Sequence, residues 1–309
     1  MSAVVKPFCW VFLTIAFCPA ALVFSAPSEA LPASGPYGAA IVIRNIPYIP
    51  NPTPRQNFDL YLPQVTDGKP LPFIVWIHGG AWMMGIKDWD NVKYLVRHGY
   101  ALASIDYRIA PQDRFPAQIQ DCNAALNFIV AHAADYGLNS KELIIGGASA
   151  GGHLALLLGL ARHEKSFGAD SSIRPLAILD FFGYTDLNHA MDDLQTIHAQ
   201  KGIGLFQEAG AKLFGAPVEQ SANKLSVASP IHYLSADSAP TLILDGSNDD
   251  LVPAFQGQRL HQAMDTLDLK NQFILVPGAG HDGPLFSTPT IQSQVISFLN
   301  NILAKPPKP

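Results

Sequence analysis

Gly147-Ala148-Ser149-Ala150-Gly151 sets a serine between two glycines, directly after the apolar run Leu143–Ile145 and before a helix-like stretch beginning near Gly152. A strand-to-helix turn of this kind is so tight that bulky residues at 147 and 151 would strike neighbouring backbone. It lifts the Ser149 oxygen above a sheet and leaves the Ala150 N–H at a helix start. A neutral hydroxyl is a weak nucleophile and needs a base, and the base needs an acid to orient it. The base is expected late in the chain, on a loop. His281 stands in Pro277-Gly278-Ala279-Gly280-His281-Asp282-Gly283, after the apolar run Phe273–Val276. His261 and His232 lack that setting, and His153 sits too close to Ser149, on the helix behind it. The acid is expected after the preceding strand, Thr241–Leu244. There Asp245, Asp249 and Asp250 crowd one loop, and periodicity does not separate the three.

A fourth element is His78-Gly79-Gly80-Ala81-Trp82, which follows Phe73–Ile77. In acyl transfer, negative charge gathers on the former carbonyl oxygen, and backbone N–H groups aimed at it lower the barrier. The N–H groups of Gly80, Ala81 and Ala150 are candidates for that oxyanion hole. His78 is expected to tie the loop down by hydrogen bonds. Trp82 has two readings of equal weight, a wall of the acyl or leaving-group pocket or a core side chain. This chemistry runs through an acyl-enzyme and calls for no metal and no organic cofactor.

The elements that must position these residues can be read from short apolar runs. Ala40–Ile46 and Asn57–Leu62, with a turn at Asn51–Pro54, suit an antiparallel hairpin at a sheet edge. Phe73–Ile77, Ala101–Ile105, Leu143–Ile145, Leu176–Leu179, Thr241–Leu244 and Phe273–Val276 are continuous and bounded by Gly, Pro or Asp, as in strands buried on both faces of a parallel sheet. Helical patterns fall between them, at Trp89–His98, Ala117–Ala131, Gly152–Ala161, Ala254–Leu267 and Thr290–Leu303. The alternation predicts an α/β fold with a mostly parallel central sheet flanked by helices on both faces. Residues 184–235 break the rhythm. They read as a small helical excursion over the C-terminal edge of the sheet, where it can wall a pocket.

Composition narrows the function classes. The chain has 309 residues, 48% hydrophobic and 15% charged, with 24 Gly and 25 Pro, which suits a globular fold with many tight connections. The formal net charge is -5 and no Lys/Arg block exceeds two residues, which argues against nucleic acid as a partner. No GxxxxGK[ST] is present and no GxGxxG follows a strand, so nucleotide cofactors lack support. Lys6 followed by the apolar run from Pro7 to Phe24, with Ala26 and Ala30 beyond, has the layout of a secretory signal peptide. The expectation is a signal over 1–26 with cleavage after Ala26 or Ala30, a flexible lead-in over 27–39, and one domain over 40–305. The protein would then be exported, periplasmic or extracellular, with no stable membrane insertion after cleavage. An uncleaved anchor is the alternative. Of the three cysteines, Cys9 and Cys18 lie in that signal, and Cys122 is expected to be a buried structural thiol.

Taken together, these motifs resemble the α/β-hydrolases of the hormone-sensitive-lipase-like group, and more closely the bifunctional feruloyl and acetyl-xylan esterase-like branch. The resemblance rests on His78–Trp82 and Gly147–Gly151 with Gly152-His153, on Asp106-Tyr107-Arg108-Ile109-Ala110-Pro111 and on Phe115-Pro116-Ala117. It continues through Asp180-Phe181-Phe182-Gly183-Tyr184-Thr185-Asp186-Leu187, Ala228-Ser229-Pro230-Ile231, Asp249-Asp250-Leu251-Val252-Pro253 and Gly278–His281, in order from about residue 57 to 300. It implies the α/β-hydrolase fold and the chain order Ser, Asp, His. It also implies that the acid stands three residues before Val252-Pro253, at Asp249. Two positions depart from the pattern: Ala81 replaces the usual third glycine, and Asp245 replaces the usual His of the acid loop. The implied activity is a serine carboxylic-ester hydrolase acting on short-chain acyl (acetyl) or feruloyl-type esters, small or polysaccharide-linked. Amidase or arylformamidase activity and a small lipase are alternatives on the same fold, and an inactive binding module is a remote one.

Overall fold

A computed structural model describes residues 28–30, 40–64, 68–89 and 91–304. The expected signal peptide over 1–26 lies outside the described residues. Within them the chain forms a nine-stranded sheet in the order β1-β2-β3-β5-β4-β6-β7-β8-β9. Its strands are β1 (Ser28–Ala30), β2 (Ala40–Pro47), β3 (Asn57–Pro63), β4 (Leu71–Ile77), β5 (Ala101–Ile105), β6 (Leu138–Ala148), β7 (Ala177–Phe181), β8 (Thr241–Gly246) and β9 (Asn271–Val276). β1, β2 and β3 pair antiparallel, β3 also pairs antiparallel with β5, and the strands from β5 to β9 run parallel. β2 and β3 form the expected edge hairpin, with a register shift between Ile43 and Ile46 where Asn45 takes φ 55°. β1 occupies part of the stretch expected to be a flexible lead-in, and it extends the antiparallel edge.

The central stretches of the parallel strands are largely apolar because both faces are covered. Phe73, Val75 and Ile77 join Ala103, Ile105, Leu143 and Ile145 under α1 (Ala117–Ala131) and α2 (Ala150–Leu160). The alternate residues Ile74, Trp76, Leu102, Ile144 and Leu179 face Val92, Leu95, Val96 and the apolar side of α7 (Pro289–Leu303). Apolar side chains pointing alternately to the two faces are what a sheet between two helix layers requires. α6 (Phe255–Thr266) covers Ile178 and Ile243 with Leu260 and Met264.

Three expected boundaries shift for physical reasons. β6 begins five residues early, since Asn139–Glu142 are polar and carry the strand past the covered sheet. β7 extends to Phe181 and so takes in a buried carboxyl, Asp180. The helix expected at Trp89–His98 is only a short 3₁₀ turn over Lys93–His98, because Trp89 is exposed and does not share the apolar face of Val92, Leu95 and Val96. Residues 184–235 form α3 (Ala190–Thr196), α4 (Gln200–Phe214) and α5 (Ala222–Val227). α4 is amphipathic, burying Gly202, Phe206, Ala209, Gly210, Leu213 and Phe214 on one stripe. No helix among the described residues is long and apolar enough to cross a membrane. Cys122 is buried on α1, and burial pushes its thiol well above the ordinary range.

Candidate active site

Ser149 is the residue between β6 and α2, with φ 57° and ψ -124°. Its backbone N–H donates to the Phe181 carbonyl at 2.8 Å and its carbonyl accepts from the His153 N–H at 3.0 Å, so the turn is tied to β7 and to its own helix. A Cβ on Gly147 would collide with the Gly151 carbonyl, and one on Gly151 with the carbonyls of Ile77 and His78. The two glycines are therefore a steric condition of this turn.

The loops after β8 and β9 bring the other two side chains to the same place. His281 Nε2 lies 2.8 Å from Ser149 Oγ, and His281 Nδ1 lies 2.7 Å from Asp249 Oδ2. A carboxylate can only accept, so Nδ1 carries the proton and Nε2 is left to accept from the serine hydroxyl. Asp249 is buried, and its other oxygen accepts the N–H groups of Leu251 (2.8 Å) and Val252 (2.9 Å). Phe182 packs edge-on against the imidazole with ring centroids 4.9 Å apart.

The three loop carboxylates, which periodicity left together, occupy different surroundings. Asp250 is exposed. Asp245 is fully buried and turned toward Gly257 of α6, where a Cβ would strike its Oδ2. Neither Asp245 oxygen makes a well-formed hydrogen bond among the described residues, and the Gly257 N–H alone favours its charged form. Burial, then the charges of Asp180 and Asp249, push its carboxyl well above the usual range. Asp180 is likewise fully buried, and burial raises its carboxyl to about 7 against the hydrogen bond from the Gly183 N–H.

The glycine-rich loop after β4 takes positive φ at Gly80 (113°), Ala81 (51°) and Trp82 (58°). A Cβ at Gly80 would strike the Met84 carbonyl. Among the described residues no acceptor takes the N–H of Gly80, Ala81 or Ala150. His78 is buried beneath the loop. Its Nε2 is 2.9 Å from Asp106 Oδ1, its Nδ1 2.7 Å from the Gly79 carbonyl, and its ring stacks on Tyr107 at 4.4 Å. Both ring nitrogens thus face acceptors, and the loop is anchored from below.

Trp82 is a buried side chain that also reaches a cavity. It is 2% exposed, and it lines the cavity over Ser149. Its indole N–H donates to His153 Nδ1 at 3.1 Å, and His153 Nε2 then donates to the Ala228 carbonyl at 2.7 Å. Burial lowers His153 to about 4, so the ring that bridges α2, the loop and the excursion is neutral. Sequence reasoning set His153 aside and missed this link. It also gave no pocket role to Tyr184, Leu205, Phe206, Ala209, Leu251 and Val252, which complete the cavity wall. For Tyr184, Leu205, Phe206 and Ala209 the signal available was the position of the excursion itself.

A more open cleft, about 490 Å³, runs between β9 and α7 past Gln272, Ser293 and Ser297, and it holds none of these groups. Among the described residues no cluster of three or more His, Cys, Asp or Glu is placed to hold a metal ion.

Comparison with known proteins adds family and fold. The BD-FAE family model matches residues 58–264. The chain is 26% identical over 263 residues to Esterase LipC of Mycobacterium tuberculosis, covering 81% of this chain and 63% of that protein. It spans roughly half to two thirds of the length of several curated relatives it matches. Among solved structures it superposes with a TM-score of 0.75 on a truncated carbohydrate esterase from gut microbiota, at 25% identity, covering 85% of this chain and 96% of that one. A bifunctional GH43-CE protein of Bacteroides eggerthii gives 0.73 at 28% identity, covering 84% and 38%.

Proposed function

The chain belongs to the BD-FAE family of α/β-hydrolase-fold serine esterases, and from that premise we propose that it hydrolyses carboxylic esters through an acyl-enzyme on Ser149. The observation that carries this reading is the single imidazole that reaches Ser149 Oγ with one nitrogen and Asp249 with the other. As Ser149 attacks the ester carbonyl, His281 Nε2 takes the hydroxyl proton, and Asp249 stabilises the charged ring that forms. The tetrahedral oxyanion is received by the N–H groups of Gly80, Ala81 and Ala150. His281 returns the proton to the leaving alkoxide, which departs as the alcohol. Water, deprotonated by the same nitrogen, then releases the acid and restores Ser149. The substrates are short-chain acyl (acetyl) or feruloyl-type esters, small or attached to a carbohydrate. The family and the carbohydrate-esterase neighbours support that class.

The test compares phenyl acetate with acetanilide, which share an acyl group and differ in leaving group. Ester turnover far above amide turnover, abolished in S149A, is expected. Preference for the anilide would replace the esterase reading with an amidase. We also propose, from Lys6 and the Pro7–Phe24 run, that the protein is exported to the periplasm or beyond, and that 40–305 act as one domain.

A further inference from the structure

The cavity over Ser149 is small and its walls are braced. Its volume is about 20 Å³, where a single water needs ~10–15 Å³. Trp82 and Tyr184 stack at 6.1 Å, and Tyr184 meets Phe206 of α4 at 5.2 Å, so three mutually packed rings form part of its wall. Leu205 and Ala209 of the same helix complete the roof.

Nor is the roof loosely laid. Gly202 of α4 packs so closely on the Asp250 carbonyl that a Cβ would collide with it, and Gly210 packs in the same way on Val218. Tyr184 Oη donates to the Leu251 carbonyl at 2.7 Å, which ties the wall to the loop that carries Asp249. Moving α4 outward to admit a longer chain would disturb the loop that holds the acid.

Resting on the esterase reading, we propose that this cavity is the acyl subsite and that Leu205 and Phe206 set its depth, making the enzyme selective for acetyl esters over longer alkanoyl and cinnamoyl-type acyl groups. The lining is apolar apart from Ser149, His281 and the Tyr184 hydroxyl, and that hydroxyl is occupied. The subsite therefore offers no polar partner to a ferulate ring's hydroxyl and no depth for the ring. An acyl methyl group fits against Trp82 and Phe206 without displacing either.

The experiment holds the alcohol constant and varies the acid: kcat/KM for 4-nitrophenyl acetate, butyrate, octanoate and ferulate, with wild type, F206A and L205A. One methylene in an apolar pocket is worth about 10–200-fold, so wild type should favour acetate over butyrate by at least ~10-fold and over octanoate and ferulate by at least ~10²-fold. F206A should move the optimum to butyrate or longer and raise octanoate turnover relative to acetate by at least ~10-fold. Leu205 is only half-buried, so L205A keeps the test decisive if F206A folds poorly. A flat wild-type profile, or variants whose profile matches wild type, overturns the acyl-gauge assignment while leaving the esterase reading intact. Wild type inactive on all four esters fells both.

Discussion

Replacing Asp180 by asparagine is expected to change how stability depends on pH, and the size follows from its surroundings. Asp180 lies on β7 with no exposure; one oxygen accepts the Gly183 N–H at 3.1 Å and the other has no partner among the described residues. Burial raises its carboxyl to about 7. Against an ordinary value of 3.8 that is about three units, or roughly 4 kcal/mol at ~1.4 kcal/mol per unit. Below about pH 4 both folded and unfolded chains hold the proton, and the residue costs nothing. Between about pH 4 and pH 7 the unfolded chain releases its proton while the native state keeps it, so unfolding becomes easier by up to ~1.4 kcal/mol per unit. Above about 7 the slope ends. The asparagine amide cannot ionise, yet it retains an oxygen for the Gly183 N–H. Relative to wild type, D180N should therefore gain up to ~4 kcal/mol between about pH 4 and pH 7. Urea unfolding followed by tryptophan fluorescence across that range, with both proteins carrying D245N because the Asp245 carboxyl feels the Asp180 charge, measures the difference, and groups remote from residue 180 cancel. A wild-type-to-D180N difference that stays constant from pH 4 to pH 7, or that grows in the opposite direction, refutes the reasoning.

Other substitutions separate neighbouring roles. D249N should cost up to ~10⁴-fold in ester turnover, since it disturbs the His281 tautomer, whereas D250N and D245N should stay within a few-fold; a crippled D250N or D245N beside an active D249N would reassign the acid. G151A forces a methyl into the Ile77 and His78 carbonyls and should destabilise by ~1–3 kcal/mol or more, read as a lowered urea midpoint. H153F removes both hydrogen bonds that hold Trp82 to Ala228 and should lower kcat about tenfold with unchanged Ser149 labelling stoichiometry, through misplacement of the oxyanion loop; an unchanged kcat would show that the bridge is dispensable. N-terminal sequencing of exported protein should find Pro27 or Leu31 first. Met1 recovered in membranes would favour an anchor.

The fold was legible where burial is two-sided. Continuous apolar runs such as Phe73–Ile77 and Thr241–Leu244 mark strands covered on both faces, and their positions match the sheet. Legibility failed where a pattern mixed exposed and buried apolar residues, as at Trp89–His98, because a helical spacing says nothing of whether Trp89 finds a partner. Ser149 and His281 were readable because each sits in a glycine-rich turn directly after a strand. Asp249 was not separable from Asp245 and Asp250 by residue type, since the distinction lies in which way the loop turns: one carboxylate toward an imidazole, one under α6, one into solvent. The acyl wall was hidden for a different reason. Leu205, Phe206 and Ala209 are ordinary apolar residues of the amphipathic α4, Tyr184 stands in the loop after β7, and only the approach of α4 to Trp82 and Ser149 gives them a role.

The measurement that bears most directly on the central claim is covalent trapping with a fluorophosphonate, which reports an activated serine without requiring knowledge of the natural ester. Wild type should gain one adduct, with fluoride as the leaving group, mapped by peptide mass spectrometry to the segment containing Ser149. S149A should gain none and should lose at least ~10³-fold in ester turnover while keeping the wild-type urea midpoint. H281A should label far more slowly, because Ser149 then lacks the imidazole 2.8 Å away. An adduct on another residue, or S149A that turns over ester at the wild-type rate, would contradict the account.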